Sequence, residues 1–136
     1  MKQSQAFQLV KKGSANNAFA LNNVTLPELK GKQVLIKVEA FGLNYADVMA
    51  RLGLYREAPP MPCVIGYEVV GIVSEIGNDV DPDLLGKRVV GFCRFGGYAK
   101  DVITEEYAVS VIDSMDTGIA LSLATQFVTA YYMVNY

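Results

Sequence analysis

Three consecutive stretches decide the fold: G-L-N-Y-A-D-V-M-A-R-L-G-L-Y from Gly42 to Tyr55, P-P-M-P from Pro59 to Pro62, and G-Y-E-V-V-G-I-V-S-E-I-G-N-D-V from Gly66 to Val80. The first stretch has apolar residues at helical spacing and predicts a short helix over 45–52. The prolines of the second fix their own φ angles and restrict the residues before them, so they predict an extended loop. The β-branched run of the third predicts a strand over 68–76.

The sequence on either side of these stretches is typical of short strands. Residues 6–10 and 18–25 predict a strand pair with a turn at 13–17. Residues 33–40 alternate between apolar and polar side chains, which is typical of a strand buried on one face. Further strands are predicted over 88–92, 98–104 and 108–112.

The apolar period changes from two residues to a helical spacing after Asp116, which suits a helix N-cap. The helical stripe comprises Ala120, Leu123, Ala124, Phe127, Val128 and Tyr131. Many short strands followed by one long helix predict a mainly β fold with α additions, a partly open β-barrel with a long C-terminal helix.

Composition excludes several classes of function. The 136 residues include no histidine, so histidine-ligated zinc, Ser-His-Asp triads and histidine proton shuttles are excluded from this segment. Twelve basic and fourteen acidic residues are scattered, which argues against a nucleic-acid partner. Two cysteines, Cys63 and Cys93, make neither a disulfide framework nor a metal cluster and are expected to be buried. No secretory signal is visible, so a cytoplasmic location is expected.

Residues 117–136 carry no charge, which raises the possibility of a membrane span. Interspersed Thr, Ser, Gln and Asn side chains favour a buried helix of a water-soluble protein instead, and no membrane partner is expected. The helix has no Gly, Lys or Arg near its end as a stop signal. We therefore expect the chain to be a truncated or excised piece of a longer protein.

The order and spacing of these motifs resemble the substrate domain of medium-chain dehydrogenase/reductases. The resemblance extends through G-K-R-V at 86–89, G-G-Y-A at 96–99 and Q-F-V-T-A-Y at 126–131. It is best to the zinc-free, quinone-oxidoreductase-like (zeta-crystallin-like) branch. It implies that residues 1–136 form a chaperonin-10-like (GroES-like) domain, that the Rossmann domain is absent from this chain, and that NADPH or NADH is bound mainly by that absent domain.

The zinc ligands of related alcohol dehydrogenases are replaced in this sequence. By the resemblance, the catalytic zinc cysteine falls at Asn44 and the zinc histidine at Tyr67. The four-cysteine structural-zinc loop is missing between Phe92 and Asp101. Since catalytic zinc needs three protein ligands, the expectation is a site without zinc or any other metal. The enoyl-thioester reductase branch of the superfamily is the alternative.

A hydride that reaches a quinone, enone or enoyl thioester leaves negative charge on an oxygen, which must be stabilised or protonated. Tyr55, between Gly53 and the proline-rich loop, is the catalytic candidate as proton donor; the alternative is an ordinary surface or core tyrosine. Asn44 resembles the asparagine that the family places near the nicotinamide ribose, and its alternative role is a turn residue.

Four further residues are candidates by position. Asp47 is a cofactor-binding candidate, although a helix cap or dipole partner is favoured on residue type. Thr129 resembles the threonine that faces the cofactor from the long helix; the alternative is a hydroxyl bonded back to the carbonyl four residues earlier. Tyr45 and Tyr67 are substrate-cleft candidates, with Tyr67 filling the space of the metal. Glu68 is expected to be structural and to pair with an arginine.

The function implied is an NAD(P)H-dependent oxidoreductase that reduces quinones or activated alkenes and carbonyls by hydride transfer. The full-length protein is expected to be a homodimer with a small quinone or enone-type substrate, and this piece alone to be inactive. The alternatives are a non-enzymatic barrel that serves as an interaction module and a zinc alcohol dehydrogenase fragment. The apolar end of the helix, including Tyr131, Tyr132 and Met133, predicts self-association or a flexible C-terminus.

Overall fold

The computed structural model describes residues 2–136, and strand is the most abundant regular secondary structure in this segment. In chain order the strands are β1 (Lys2–Leu9), β2 (Phe19–Leu26), β3 (Gln33–Phe41), β4 (Cys63–Val64), β5 (Glu68–Ile76), β6 (Arg88–Phe92), β7 (Asp101–Glu105) and β8 (Val109–Val111). The helices are α1 (Ala15–Ala18), α2 (Tyr45–Leu52), α3 (Thr117–Ser122) and α4 (Val128–Asn135), with a π-helical segment at Leu123–Phe127 between the last two. Short 3₁₀ turns occupy Pro82–Leu84 and Glu106–Ala108.

The strands form two antiparallel sheets that do not close into a barrel. One sheet has the order β2-β1-β4 and the other β7-β3-β5-β6-β8. A single bridge between Ala6 and Ala99 links them outside the named strands. The predicted mainly β, partly open architecture with a C-terminal helix is therefore confirmed.

The segment at 98–100 joins the two sheets, and this explains why the strand predicted over 98–104 begins only at Asp101. The Phe7 amide donates to the Tyr98 carbonyl at 2.8 Å, and the Lys100 amide donates to the Gln5 carbonyl at 2.9 Å. The Val38 amide donates to the Lys100 carbonyl at 2.8 Å. Residues 98–100 thus hydrogen-bond to β1 in the three-stranded sheet and to β3 in the five-stranded sheet, and they are not part of a regular strand in either sheet.

Three apolar clusters fill the interior, and the third, at the start of the C-terminal helix, is described below. The largest lies on the five-stranded sheet and comprises Val34, Ile36, Val69, Val73, Val80, Val89, Cys93 and Val102. The second lies beneath α2 and comprises Leu9, Ala18, Ala50, Cys63, Ile65 and Tyr98. Both cysteines are buried and free, as predicted.

Two local predictions were wrong. β3 was expected to be buried on one face only; Lys37 and Glu39 on the other face are exposed as predicted, but Leu35 on that face is only 2% exposed. The turn at 13–17 contains the four-residue helix α1, which begins after Ser14. The elements over 45–52, 68–76 and 88–92 match the predicted bounds.

The C-terminal helix begins as predicted at Asp116, whose Oδ1 accepts a hydrogen bond from the Ile119 amide at 3.0 Å. Its start packs on the five-stranded sheet, where Ala120 is fully buried beside Val70 and Ile112. The expectation of a buried helix fails after α3, because neither the π-helical segment nor α4 has a buried residue. Within residues 2–136, no helix is both long and apolar enough to cross a membrane.

Candidate active site

The N-terminus of α2 is fixed by a side chain from its own first turn. The Asp47 carboxylate accepts a hydrogen bond from the Asn44 backbone amide at 2.9 Å through Oδ2. The helix ends at Gly53, whose φ of 75° is in the left-handed region that glycine adopts without strain. The capping role favoured for Asp47 is confirmed, and Asn44 stands at the junction of β3 and α2.

Glu68, the first residue of β5, ties this helix N-terminus to the C-terminal helix. Its side chain is almost fully buried, with the residue 1% exposed. Oε1 accepts a hydrogen bond from the Asn44 amide nitrogen Nδ2 at 2.9 Å, and Oε2 accepts one from the Thr125 backbone amide at 2.9 Å. The predicted arginine partner is wrong: a side-chain amide and a backbone amide bind this carboxylate.

Glycine is required opposite Glu68. A Cβ atom added at Gly42 would lie 1.9 Å from Glu68 Oε1 and under 3 Å from its Cδ and Cγ. Because the carboxylate is held by two hydrogen bonds in a closed space, it could not move aside without losing them. The first glycine of the G-L-N-Y-A-D motif thus makes room for the acid of the G-Y-E motif.

Asp47 is also buried, and one of its oxygens lacks a partner. The residue is 5% exposed, and Oδ1 has no hydrogen-bond partner within residues 2–136. Burial raises the pKa of the Asp47 carboxyl above its ordinary value of 3.8, and the charge of Glu68 adds to the rise. The pKa is lowered in turn by three hydrogen-bond donors that favour the ionised carboxylate: the backbone amide of Asn44, the phenol of Tyr98 and the backbone amide of Gly66.

Two tyrosines complete the arrangement. Tyr67 is half-buried, and its ring centroid lies 5.4 Å from that of Phe95. Burial, then the neighbouring Tyr55 hydroxyl, then the charge of Asp47 raise the pKa of Tyr67 well above that of a free phenol. The structure therefore brings together Asn44, Asp47, Tyr55, Tyr67 and Glu68, which we call the acid–phenol cluster.

Two of the six candidate residues lie outside the cluster. Tyr45 is 77% exposed, and Thr129 is exposed on α4. No side-chain hydrogen bond or aromatic ring pair within residues 2–136 joins either one to the cluster. The bond from the Thr129 hydroxyl to its own helix, offered as the alternative, is likewise absent from that described segment.

The sequence did not single out Thr125 or Tyr98 as site residues. Thr125 binds Glu68 through its backbone amide, so its side-chain type carried no signal; its Oγ1 is buried with no partner in the described part of the chain. Tyr98 carried a signal, since it is the aromatic residue of G-G-Y-A. Its ring packs on Phe41 at 4.6 Å, and burial together with the charge of Asp47 raises its pKa far above the usual range.

Neither buried acid is paired with a cation in residues 2–136. The ion pairs there join Lys2 to Glu75, Lys32 to Glu106, Arg88 to Glu39 and Arg94 to Glu57. The same residues contain no group of three or more His, Cys, Asp or Glu side chains that could hold a metal ion. Burial raises the pKa of Cys93 to about 12, so its thiol is protonated at neutral pH.

Comparison with known proteins establishes the family. The family model described as the alcohol dehydrogenase GroES-like domain matches residues 30–130, which contain the whole acid–phenol cluster. The chain belongs to this family. Within it, the GroES-like domain lies in the quinone-oxidoreductase-like branch of the medium-chain dehydrogenase/reductase superfamily.

The GroES-like domain is similar to longer curated proteins. It is 34% identical to the synaptic vesicle membrane protein VAT-1 homolog-like of Mus musculus over 119 residues, which are 87% of this chain and 28% of that protein. It is 36% identical to the quinone oxidoreductase-like protein 2 homolog of Nematostella vectensis over 101 residues, covering 73% of this chain and 28% of that protein. The chain thus spans under a third of the length of these relatives.

Solved structures share the fold over nearly the whole chain. The human VAT-1 homolog-like protein superimposes with a TM-score of 0.89 at 34% identity, covering 97% of this chain and 43% of that one. The quinone oxidoreductase of Coxiella burnetii gives 0.88 at 29% identity, with coverage of 98% and 45%. A mycobacterial protein solved in complex with NADPH gives 0.82 at 27% identity, with coverage of 97% and 40%.

The cluster has polar atoms to offer a nicotinamide ring and its ribose. Asp47 Oδ1 and Thr125 Oγ1 are buried without partners in residues 2–136, and such atoms are costly unless something binds them. The Asn44 side-chain amide donates one N–H to Glu68, its oxygen takes part in the capping box with the Asp47 backbone N–H, and its second N–H has no partner within residues 2–136. This donor and acceptor set fits a carboxamide and sugar hydroxyls better than a metal ion.

Proposed function

We propose that this GroES-like domain is the substrate domain of an NAD(P)H-dependent oxidoreductase that reduces quinones or activated alkenes and carbonyls without zinc. The observation that carries the proposal is the acid–phenol cluster: the Asn44 amide and the Tyr67 phenol stand where, by the resemblance, zinc relatives have metal ligands, and the Tyr55 phenol adjoins Tyr67. The relatives named as quinone oxidoreductases, and the neighbour solved with NADPH, support it.

The side chain at each former ligand position is unsuited to a metal. Asn44 Nδ2 donates a hydrogen bond to the Glu68 carboxylate. This bond fixes the orientation of the side-chain amide, whose N–H groups cannot bind a metal ion. Tyr67 would have to lose its proton to act as a strong ligand, and its raised pKa opposes this. The positions are filled by groups that donate hydrogen bonds, which supports chemistry through amide and phenol groups.

The bound cofactor would supply a hydride, and the residues of this chain would handle the charge that results. Tyr55 is the proposed proton donor to the acceptor oxygen. Tyr67 stays protonated at neutral pH and is placed to orient the Tyr55 hydroxyl beside it. Asn44 is the proposed contact to the nicotinamide ribose, held in one orientation by Glu68. Asp47 and Thr129 on the cofactor side, and Tyr45 on the substrate side, complete the proposed site.

We place the rest of the dinucleotide on a Rossmann-type domain of the full-length protein. The GroES-like domain has no G-x-G-x-x-G turn in its sequence to bind a pyrophosphate. In this proposal the domain contributes the nicotinamide end of the site and the substrate cleft, and the full-length protein is a cytoplasmic homodimer.

The test is turnover by the full-length protein with NADPH and either a quinone or an enoyl thioester. For Tyr55→Phe we expect kcat to fall by about 100-fold, because general acid catalysis typically contributes about 10²–10⁴-fold, with little change in cofactor KM. Tyr107→Phe, which alters a tyrosine that is 87% exposed, is the matched control and should retain the wild-type rate.

The acceptor that is turned over separates quinone reduction from the enoyl-thioester alternative. Unchanged rates for Tyr55→Phe would remove Tyr55 from the mechanism. No turnover with either acceptor class would overturn the proposal and favour a non-enzymatic interaction module.

A further inference from the structure

Glu68 is a buried negative charge with no counter-charge in the described part of the chain. Both of its oxygens accept hydrogen bonds, one from the Asn44 amide and one from a backbone N–H, which can only donate. This is the pattern of an ionised carboxylate, which is an acceptor at both oxygens. A buried charge without an opposite charge is unfavourable, so the fold maintains a local negative field at a cost.

Asp47 adds a second, independent sign of a missing partner. It lies close enough to Glu68 for the two charges to repel, and its Oδ1 is buried near the Tyr98 phenol and the Gly66 backbone amide without a hydrogen bond of normal geometry to any group in residues 2–136. Arg94 is near enough to influence Tyr67, but it is mostly exposed and pairs with Glu57 at 3.1 Å. Within residues 2–136, therefore, no cation forms an ion pair with either acid.

Aromatic rings stand beside these acids. Tyr67 packs near Phe95 at 5.4 Å and near Phe92 at 6.3 Å, and the Tyr55 phenol adjoins Tyr67. Ring faces attract organic cations, and nearby carboxylates strengthen the attraction. A small metal ion would instead need several oxygen ligands at close range, and no such group exists within residues 2–136.

We propose that the acid–phenol cluster selects a flat organic cation, and that Glu68 and Asp47 make it hold the oxidised, positively charged nicotinamide ring more tightly than the neutral reduced ring. The identification of the ring rests on the function proposed above. Glu68 and Asp47 act through their charge, and both are positioning residues rather than groups that react. The consequence is that this domain favours the oxidised cofactor, the form that remains after hydride has left.

The test uses the chain itself with two small probes of one ring shape. 1-Methylnicotinamide carries a positive charge, and nicotinamide is its neutral counterpart. Each is titrated into the isotopically labelled chain at low salt, and binding is followed by the NMR shifts of backbone amides at Asn44, Tyr67 and Thr125. We expect the cation to bind about five-fold or more tightly than the neutral ring, the size expected for a ring-and-carboxylate site that is partly desolvated.

Variants assign the preference to the buried acids. Glu68→Gln removes the charge and keeps the shape of the side chain and one of its two acceptor oxygens, and should bring the two affinities to within about two-fold. Glu75→Gln, at an exposed acid, is the control and should leave the preference unchanged. If Glu68→Gln fails to fold, judged by dispersion of its spectrum, Asp47→Asn tests the same point and should reduce the preference.

Equal affinities for the two probes, or no shift with either, would overturn the inference, as would a preference unaffected by both variants. If the full-length protein turns over an acceptor but the probe titration shows no preference for the cation, the proposed function stands and this inference is wrong. A cation preference in a full-length protein that turns over neither acceptor class would instead overturn the proposed function and keep the cation site.

Discussion

At the scale of single residues, one carboxylate organises the site. Glu68 accepts hydrogen bonds from Asn44 and Thr125, which are far apart in sequence, and Gly42 leaves the space it occupies. Its position at the first residue of β5 aims the side chain between α2 and the C-terminal helix. The chemistry proposed for Asn44 therefore depends on an acid that does not itself react.

Asp47 predicts a dependence of stability on pH. Its folded pKa is raised by burial, so the ionised form is disfavoured in the folded state and costs stability above the folded pKa. Asp47→Asn removes the charge and keeps an oxygen for the Asn44 amide. We expect the variant to be about 1 kcal/mol more stable at pH 7, with the gain shrinking as pH falls through the folded pKa and absent below the unfolded value near 3.8.

Urea denaturation at pH 7 and below pH 4 measures this difference. Asp79→Asn, at an exposed loop position, is the control and should change stability little at either pH. A variant that is less stable than wild type at pH 7, or a gain that persists unchanged in acid, would contradict the burial of an ionised Asp47.

At the scale of elements, the sequence predicted the strands and α2 well because their signals are local. Residues 45–52 and 68–76 have one clear period each, and Gly53 and the prolines mark the ends. The π-helical segment at Leu123–Phe127 has no such signal, since the apolar stripe continues through it. The bond between Thr125 and Glu68 is a tertiary contact across 57 residues, which no local pattern could reveal.

Arg88 connects β6 to the start of α3, and this predicts how firmly the C-terminal helix is attached. Its guanidinium donates to Glu39 Oε2 at 2.9 Å, the Asp113 carbonyl at 3.2 Å, the Met115 carbonyl at 2.8 Å and Thr117 Oγ1 at 2.7 Å. A lysine cannot reproduce this planar set of donors. Arg88→Lys should lower stability by about 1–2 kcal/mol and reduce protection of the α3 amides.

Hydrogen exchange read at the α3 amides checks this prediction. Arg94→Lys is the matched control, because Arg94 forms an exposed pair with Glu57 and the same change there should have little effect. Equal protection in wild type and Arg88→Lys would show that the helix is held by its apolar contacts with the sheet alone.

At the scale of the whole molecule, the apolar residues are divided unevenly. The three apolar clusters are buried, whereas the last part of the C-terminal helix exposes Phe127, Val128, Tyr131, Tyr132 and Met133. Fold class could be predicted because strand alternation and turn residues repeat along the chain. The sequence also predicted an apolar surface at Tyr131, Tyr132 and Met133, but an apolar stripe does not identify what covers it.

This exposed surface predicts self-association of the isolated chain. Its large apolar side chains adjoin one another and form a continuous patch, whereas a soluble monomer usually exposes such side chains singly. Sedimentation equilibrium should give a weight-average mass that rises with concentration, and Tyr132→Lys should shift the distribution toward monomer. Tyr107→Lys, at an isolated exposed tyrosine, is the control and should leave the association unchanged. A wild-type chain that stays monomeric at all concentrations, with α4 amides protected, would contradict this.

The most direct test of a metal-free site is NADPH-dependent turnover by the full-length protein after its metals have been removed by chelation, with wild type and Tyr55→Phe compared. If amide and phenol groups receive the hydride acceptor, the chelated wild type keeps its rate and only the Tyr55→Phe variant loses it. A chelated wild type that loses turnover and regains it on addition of zinc, with Tyr55→Phe unimpaired, would contradict the proposed chemistry.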